Sequence, residues 1–440
     1  MRLVAGVLAV NAAFVVVGYA LLGPSRWRAS WAGVALLVGA GSVGTLVFFA
    51  TMVGLHASLA VAAVVAAAAA VCGLVLWPRV APQPEASNRV LLARGRYRAL
   101  TGAAFGVVVA VCTIGVVGGF RSSPWLDDVW GIWLPKGLAL WHHGLDERLF
   151  APNGEYVTFG VPDYPLWWSV ITSLDVQAVG GLDVRVVCAQ LALLTVAFVG
   201  AVARLLWDCV RPPVLAGSLL LLVLSPELWR HVQGGLADLP LAIFLALALV
   251  AGARWLQTRE PFLLALTGFS LAVALQIKTE ALVEVAALVA VGALFSRRLR
   301  WTALALLAAV PWLAWRWAHD VPGRADLDLT RVERVPDAAR AVFEHLFDPT
   351  EWLVIVPLAI VLALVARQPK VLLAPGALLA VVLTAYWIDR DEITFVLATS
   401  SYRVIDPVVL SAAVLIPLLA ESFLQQRETL RENRALVGEP

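Results

Sequence analysis

Apolar runs separated by short polar connectors repeat along almost the whole chain. A helix of roughly 20 apolar residues crosses the hydrocarbon core of a bilayer, and most of the runs approach that length. Lipid offers no hydrogen bonds to the backbone, so such runs are predicted to be helical. The pattern therefore predicts an all-α polytopic membrane protein with about 13 transmembrane helices. The predicted spans are residues 3–22, 31–53, 57–77, 99–120, 184–206, 213–227, 237–254, 261–277, 281–295, 301–318, 351–366, 371–388 and 403–420.

Arginine clusters indicate which connectors face the cytoplasm, because short basic connectors stay on that side of the membrane. The basic connectors follow the spans 3–22, 57–77 and 281–295, and the tail 421–440 carries Arg427, Arg431 and Arg434. Strict alternation then predicts that the loops 121–183 and 319–350 lie outside. This orientation requires that 164–182 does not cross the membrane.

Three shorter segments on the predicted outer side have the pattern of amphipathic helices that lie in the membrane interface. The first is 129–141, in which one face carries Trp130, Trp133, Leu134, Leu138 and Trp141. The second is 164–182, in which an apolar stripe leaves Asp175 and Gln177 on the polar side. The third is 336–347, which begins at a proline.

Composition excludes a soluble protein of this size, because 61% of the residues are hydrophobic, 15% are charged and the mean hydropathy is +0.84. Only three of the 33 basic residues are lysine, a bias typical of a high-GC bacterial genome. The outer loops are rich in acids, although insertion does not require this, since Asp and Glu contribute little to orientation. The predicted location is the bacterial inner membrane, with a functional site on the extracytoplasmic face.

Two adjacent carboxylates, Asp127 and Asp128, stand in the longest outer loop shortly after the span 99–120. Charged groups beside hydrocarbon are costly and usually have a partner or a function. A carboxylate pair suits general-base chemistry, in which one group takes a hydroxyl proton and the other orients the acceptor or raises its partner's pKa. The structural alternative is helix capping, by Asp128 before 129–141 and by Asp163 before the second interfacial helix.

The order of motifs resembles the GT-C superfamily of membrane glycosyltransferases. The branch most similar contains protein O-mannosyltransferases, aminoarabinose transferases and bacterial relatives. The matching positions in the outer loop are Asp128, Ile132, Trp133, Lys136, Asp163, Tyr164 and Pro165. The resemblance extends, more weakly, to Asp238, to Lys278-Thr279-Glu280 and to Arg403, and covers roughly 99–420. The usual histidine before Asp-Tyr-Pro is replaced by Val161-Pro162, and Asp127 is a second acid that leaves the identity of the catalytic one open.

This resemblance implies inverting transfer of a sugar from a polyprenyl-phosphate donor to a hydroxyl of a glycan, glycolipid or protein. Asp128, helped or replaced by Asp127, would be the catalytic base. The expected substrate-binding residues are Trp133, Lys136, Asp163, Tyr164, Asp238, Lys278, Glu280 and Arg403. No nucleotide site is needed, because lipid phosphate is the leaving group, and no nucleic-acid partner is expected.

The resemblance also gives the expected domain organisation. Residues 1–98 would add three N-terminal helices and a basic cytoplasmic loop, and 99–300 would form the catalytic transmembrane module with the outer loop 121–183. Residues 301–420 would contribute the C-terminal helices with the outer loop 319–350, followed by a cytoplasmic tail at 421–440.

Several alternatives stay open at the level of sequence. A phosphate group suits a bidentate arginine and a lysine point charge, which favours Arg403 and Lys278. Arg403 would instead pair with Asp406, and Lys278 with Glu280, if both cations were structural. No cofactor is certain, but a divalent metal held by the Asp127/Asp128 pair and a histidine is a further alternative. The histidines on the predicted outer side include His142, His143, His231 and His345. A transporter or flippase of a lipid-linked saccharide, or a non-catalytic scaffold, would also need many spans.

Overall fold

The computed structural model describes residues 1–76, 96–146, 150, 163–321, 328–389 and 391–437, and these residues contain helices and no β-strand. The α-helices are α1 (Arg2–Leu22), α2 (Ala32–Met52), α3 (Leu59–Leu76), α4 (Arg96–Arg121), α5 (Leu134–His142), α6 (Trp167–Val179), α7 (Arg185–Leu206), α8 (Pro212–Val223), α9 (Pro226–Gly234), α10 (Asp238–Thr258), α11 (Pro261–Ala274), α12 (Ala281–Phe295), α13 (Val310–Ala318), α14 (Val335–Phe347), α15 (Ile355–Val365), α16 (Leu373–Ile388), α17 (Ile393–Ser400) and α18 (Asp406–Val437). A π-helical turn (Val129–Trp133) precedes α5, and a 3-10 helix (Arg297–Ala309) precedes α13.

Seven helices in the described part of the chain are long and apolar enough to cross a bilayer: α1, α2, α4, α7, α10, α16 and α18. The pair α8 and α9, bent by 50°, adds an eighth if it forms one broken span. Helices α3, α11, α12 and α15 are apolar but shorter. The prediction of an all-α polytopic membrane protein is therefore confirmed, whereas the number of about 13 spans stays a prediction.

The N-terminal helices pack closely because small residues lie where they cross. Gly18 of α1 lies against the backbone of Ala35 of α2, and Gly39 of α2 lies against the backbone of Phe14. A Cβ atom at either glycine would overlap the facing backbone, so close approach requires the missing side chain. Helix α2 also packs on α7, which joins the N-terminal helices to the remaining bundle.

Connectors that alternation predicts on one side of the membrane contact each other in the fold. At one end, Arg211 forms ion pairs with Glu421 and Glu428, both in the predicted cytoplasmic tail. At the other end, the turn between α2 and α3 meets the predicted outer loop, where the amide of Ala57 donates to the carbonyl of Leu140. This grouping agrees with the alternation. The assignment of the ends to cytoplasm and exterior stays a prediction.

The predicted polar face of the second interfacial helix is wrong. Helix α6 has 13 residues and is about 20 Å long, too short to cross the hydrocarbon core. It is nevertheless enclosed by α1, α2 and α5, and its residues from Trp167 to Val176 are all buried. Asp175, expected on the polar side, is completely buried. Helix α6 is therefore an internal helix that the N-terminal helices cover. Sequence periodicity alone did not indicate this burial.

The first interfacial helix also differs from its predicted stripe. The π-helical turn holds one residue more than an α-helical turn and shifts the register of everything after it. As a result Ile132, Trp133 and Lys136 are buried, while Trp130, expected on the apolar face, is exposed. The third predicted helix, α14, buries Ala338, Val342 and Leu346 on one face.

Candidate active site

Four charged side chains, each from a different segment of the fold, form a continuous line. Nζ of Lys278 lies 2.7 Å from Oδ1 of Asp238. The Arg403 guanidinium lies 4.0 Å from Oδ2 of Asp238 and donates a hydrogen bond to Oδ2 of Asp128. The Asp128 side chain is 30% exposed, whereas the other three are between 6% and 13% exposed. Asp128 is therefore the solvent-accessible end of this otherwise buried line of charges.

Breaks between helices bring these groups together. Gly235 ends α9 in the left-handed conformation, with φ of 79°, and turns the chain so that Asp238 opens α10. Lys278 lies between α11 and α12, and Arg403 lies in the turn between α17 and α18. Each group stands at a helix end, and the distances between their side chains show that these ends meet. The sequence placed these residues at span ends; only the packing of the helices makes them neighbours.

The capping alternatives for the acids are not what the structure shows. Asp128 precedes the π-helical turn, but its side chain makes no capping hydrogen bond and pairs with Arg403 instead. The cap of α6 is Leu166, so Asp163 does not have that role. The two structural pairings considered for the cations are also wrong, since Arg403 does not pair with Asp406 and Lys278 pairs with Asp238.

An aromatic pair lies next to the charge line. Tyr164 stacks on Trp133 with ring centroids 5.3 Å apart and planes only 3° from parallel. Its hydroxyl donates to Oε1 of Glu280 at 2.8 Å, and Nζ of Lys278 lies 5.3 Å from its ring centre. Tyr164 therefore connects the first interfacial helix to the Lys278–Glu280 segment. This fixes the loop that carries the candidate base against the loop that carries the candidate cation.

Asp163 holds its segment by backbone contacts. Its carbonyl accepts hydrogen bonds from the Thr279 hydroxyl at 3.1 Å and from Nε1 of Trp312 at 3.0 Å. The side chain is buried, and its charge acts on Lys136. Lys136 is buried as well, with Nζ 5.6 Å from the ring centre of Phe150. Asp163 and Lys136 thus form the inner wall of the site and are not members of the line of charges.

The buried Lys136 gives a pH-dependent prediction. Burial lowers the pKa of Lys136 to about 7, although Asp163 partly opposes this. Between that pH and the ordinary lysine pKa, the unfolded chain holds a proton that the folded protein lacks, so stability rises with pH. We expect the wild type to gain about 2 kcal/mol relative to Lys136→Met between about pH 7.5 and about pH 9.5. Thermal unfolding in detergent measures the difference, and parallel curves for the two proteins would contradict it.

Asp127 is the predicted residue that the structure leaves outside the cluster. Its side chain is exposed and makes no ion pair with the described residues, because neighbouring positions on a helix point in different directions. The metal alternative gains no support, since the described residues contain no group of three or more His, Cys, Asp or Glu side chains that could hold an ion. His142 instead stacks on Trp141.

A buried triad missed by sequence reasoning stands behind Arg403. His231 is completely buried, with Nδ1 2.9 Å from Oδ2 of Asp406 and Nε2 3.0 Å from Oε1 of Glu227. The backbone amide of Asp406 donates to the carbonyl of Arg403, so the triad fastens the turn that carries the guanidinium. The four-residue spacing of Glu227 and His231 was a visible signal. The third member lies 175 residues from His231, and no local pattern connects them.

Electrostatics determine what the site can do. Burial alone would lower the pKa of Arg403, but Asp238 and Asp128 raise it above its ordinary value, so the guanidinium stays charged. Its Nε is buried and has no hydrogen-bond partner among the described residues. The site therefore offers a solvent-accessible carboxylate as a proton acceptor beside a fixed cation.

Comparison with known proteins adds one finding. The family model described as dolichyl-phosphate-mannose-protein mannosyltransferase matches residues 153–373, half of the chain. The matched region includes the candidate residues from Asp163 to Glu280, whereas Asp128 and Arg403 lie on either side of it. No curated protein and no solved structure gives a match.

Proposed function

Because the chain belongs to the dolichyl-phosphate-mannose-protein mannosyltransferase family of the GT-C superfamily, we propose that it is an inverting glycosyltransferase with Asp128 as its base. The family implies a donor in which a sugar is linked to polyprenyl phosphate. The proposed acceptor is a hydroxyl of a cell-envelope glycan, glycolipid or protein. We place the reaction on the outer face of a bacterial inner membrane, following the arginine-rich connectors.

In the proposed reaction Asp128 takes the proton from the acceptor hydroxyl. The hydroxyl oxygen forms a bond to the anomeric carbon of the sugar as the bond to the phosphate oxygen breaks. The electron pair of that bond stays on the leaving polyprenyl phosphate, and the anomeric configuration inverts. A base contributes about 100- to 10,000-fold to such a transfer when it lies within hydrogen-bond reach of the proton.

The observation that carries the proposal is the contact between Asp128 and Arg403. It joins a solvent-accessible carboxylate to a buried cation, so proton acceptor and leaving-group stabiliser are adjacent. The negative charge that develops on the leaving phosphate is stabilised most by donors already fixed in place. Asp128 and Asp238 hold the Arg403 guanidinium in place, and Lys278 adds a second positive charge on the far side of Asp238.

The other candidate residues have supporting roles in this proposal. Trp133 and Tyr164 form a rigid wall beside Lys278, and Asp238 holds both cations in position. Asp163 and Lys136 fix the inner wall. Asp127, exposed and outside the cluster, is proposed to have no part in the proton transfer.

Purified protein in vesicles tests the function directly. The donors are polyprenyl-phosphate mannose and polyprenyl-phosphate arabinofuranose, each offered with polysaccharide, glycolipid and peptide acceptors. We expect release of polyprenyl phosphate and gain of one sugar by a hydroxyl acceptor with inversion at the anomeric carbon. Movement of the intact donor across the bilayer without release of polyprenyl phosphate would support the transporter alternative instead.

A further inference from the structure

Three buried carboxylate oxygens around the Lys278–Glu280 segment have no hydrogen-bond partner among the described residues. They are Oδ1 of Asp163, Oε2 of Glu280 and Oε2 of Glu284. Glu284 is only 4% exposed, and none of the described residues donates a hydrogen bond to its Oε2. Unpaired buried acceptors are rare in native proteins and costly, so each one calls for an explanation.

Two of these acceptors share one helix face and point toward the site. Glu284 follows Glu280 by one turn, and its amide donates to the Glu280 carbonyl. Glu284 shares the buried side of α12 with Ala281 and Val285, one turn from Glu280, which the Tyr164 hydroxyl joins to the site. Its neighbours Leu282 and Val283 are exposed on the opposite side of the helix. Glu284 therefore borders the site rather than the lipid-facing surface.

Helix packing does not require either acid. An apolar residue at position 284 would avoid the penalty of an unpaired buried acceptor and would pack equally well in an apolar span. The Tyr164 hydroxyl already occupies Oε1 of Glu280, which leaves Oε2 directed away from that contact. A ligand that donates several hydrogen bonds in a small volume would satisfy these acceptors. A sugar ring, with a hydroxyl on most of its carbons, has this property.

The geometry points to Glu280 and Glu284 as a subsite that accepts hydrogen bonds from the hydroxyls of the donor sugar and selects a neutral or cationic sugar over an anionic one. The inference rests on the proposed function, because the sugar lies here only if the lipid phosphate binds at Lys278 and Arg403. A uronic acid would bring a second carboxylate next to that of Glu280. Like charges in a buried site repel strongly.

The test compares three probes on the full-length protein in detergent: polyprenyl phosphate without sugar, polyprenyl-phosphate mannose and polyprenyl-phosphate glucuronic acid. The variants are Glu284→Gln and Glu280→Gln, and the matched control is Glu344→Gln, the same change at an exposed position of α14. We expect either site variant to weaken binding of the mannose lipid by about 10- to 100-fold, the worth of a hydrogen bond to a charged group. Binding of the sugar-free lipid should stay within about twofold of the wild type.

Discrimination against the glucuronic acid lipid gives a readout that a purely structural role would not change. The wild type should prefer the mannose lipid, and Glu280→Gln, which removes a negative charge beside the sugar, should reduce that preference. Equal weakening for the sugar-free and the mannose lipids, with unchanged preference, would overturn the subsite. Failure of the wild type to bind sugar-free polyprenyl phosphate would instead overturn the proposed function, and with it the location of the sugar.

Discussion

Replacing Asp128 with asparagine is expected to lower the rate of sugar transfer by about 100- to 10,000-fold, the usual contribution of a general base. The amide keeps the shape of the side chain and can still accept from Arg403, so the turn that carries the arginine should stay in place. It cannot take the acceptor proton. The loss should therefore fall on kcat, while the affinity for the donor lipid changes little. Initial rates with saturating donor measure the effect.

Asp127→Asn is the matched control for this prediction, because it makes the same change one residue away. Asp127 is exposed and has no described ion pair, so its variant should keep transfer within about threefold of the wild type. The two carboxylates cannot exchange roles without turning the helix. Equal loss in both variants would show that the acids act as a pair. Normal transfer by Asp128→Asn and by the double variant would remove the proposed base.

Lys278→Met is expected to destabilise the folded protein by about 3–5 kcal/mol, the typical effect of removing one partner of a buried ion pair. Its partner Asp238 has a side chain that is 6% exposed, and Arg403 at 4.0 Å is a weaker substitute for the ammonium group at 2.7 Å. The expected result is a clear fall in the midpoint of thermal unfolding. Intrinsic fluorescence can follow unfolding in detergent, since the chain contains 18 tryptophans.

Two further variants distinguish the effect of losing this ion pair from the general effect of replacing a lysine. Lys370→Met makes the same substitution at an exposed lysine and should leave the unfolding midpoint nearly unchanged. The double variant Lys278→Met/Asp238→Asn should be more stable than Lys278→Met alone, because the uncompensated carboxylate is removed. A double variant with the summed loss of both single variants would mean that the two groups do not interact in the folded protein.

The line of charges shows how far reasoning from sequence reaches in this protein. Asp128, Asp238, Lys278 and Arg403 were predicted site residues because each stands where an apolar run begins or ends and because the motif order resembles a family. Their ion-pair partners were not predictable, because the sequence suggests only neighbours in the chain, such as Asp406 for Arg403. In the fold, Arg403 reaches Asp128, 275 residues earlier in the chain. A contact at that separation depends on the order in which helices pack.

Burial inside the bundle was the second feature beyond sequence reasoning. The stripe of 164–182 has the period of an interfacial helix, yet α6 is covered on all sides and Asp175 is completely buried. Likewise, the π-helical turn at Val129–Trp133 changes which face of the first interfacial helix is buried. Periodicity reports which side of a helix is apolar. It does not report how many neighbouring helices surround it.

The sequence by itself determined that the chain is an all-α multi-pass membrane protein, because apolar runs of this length are stable only as helices in lipid. It also determined which residues are charged where helices end, and hence which residues are candidates for the site. The tertiary structure alone decided that Asp128 rather than Asp127 meets Arg403, and that His231 stands behind Arg403. The physical reason is that helix ends far apart in sequence become neighbours only through packing, and each buried charge is then stabilised by whichever partner the packing brings within reach.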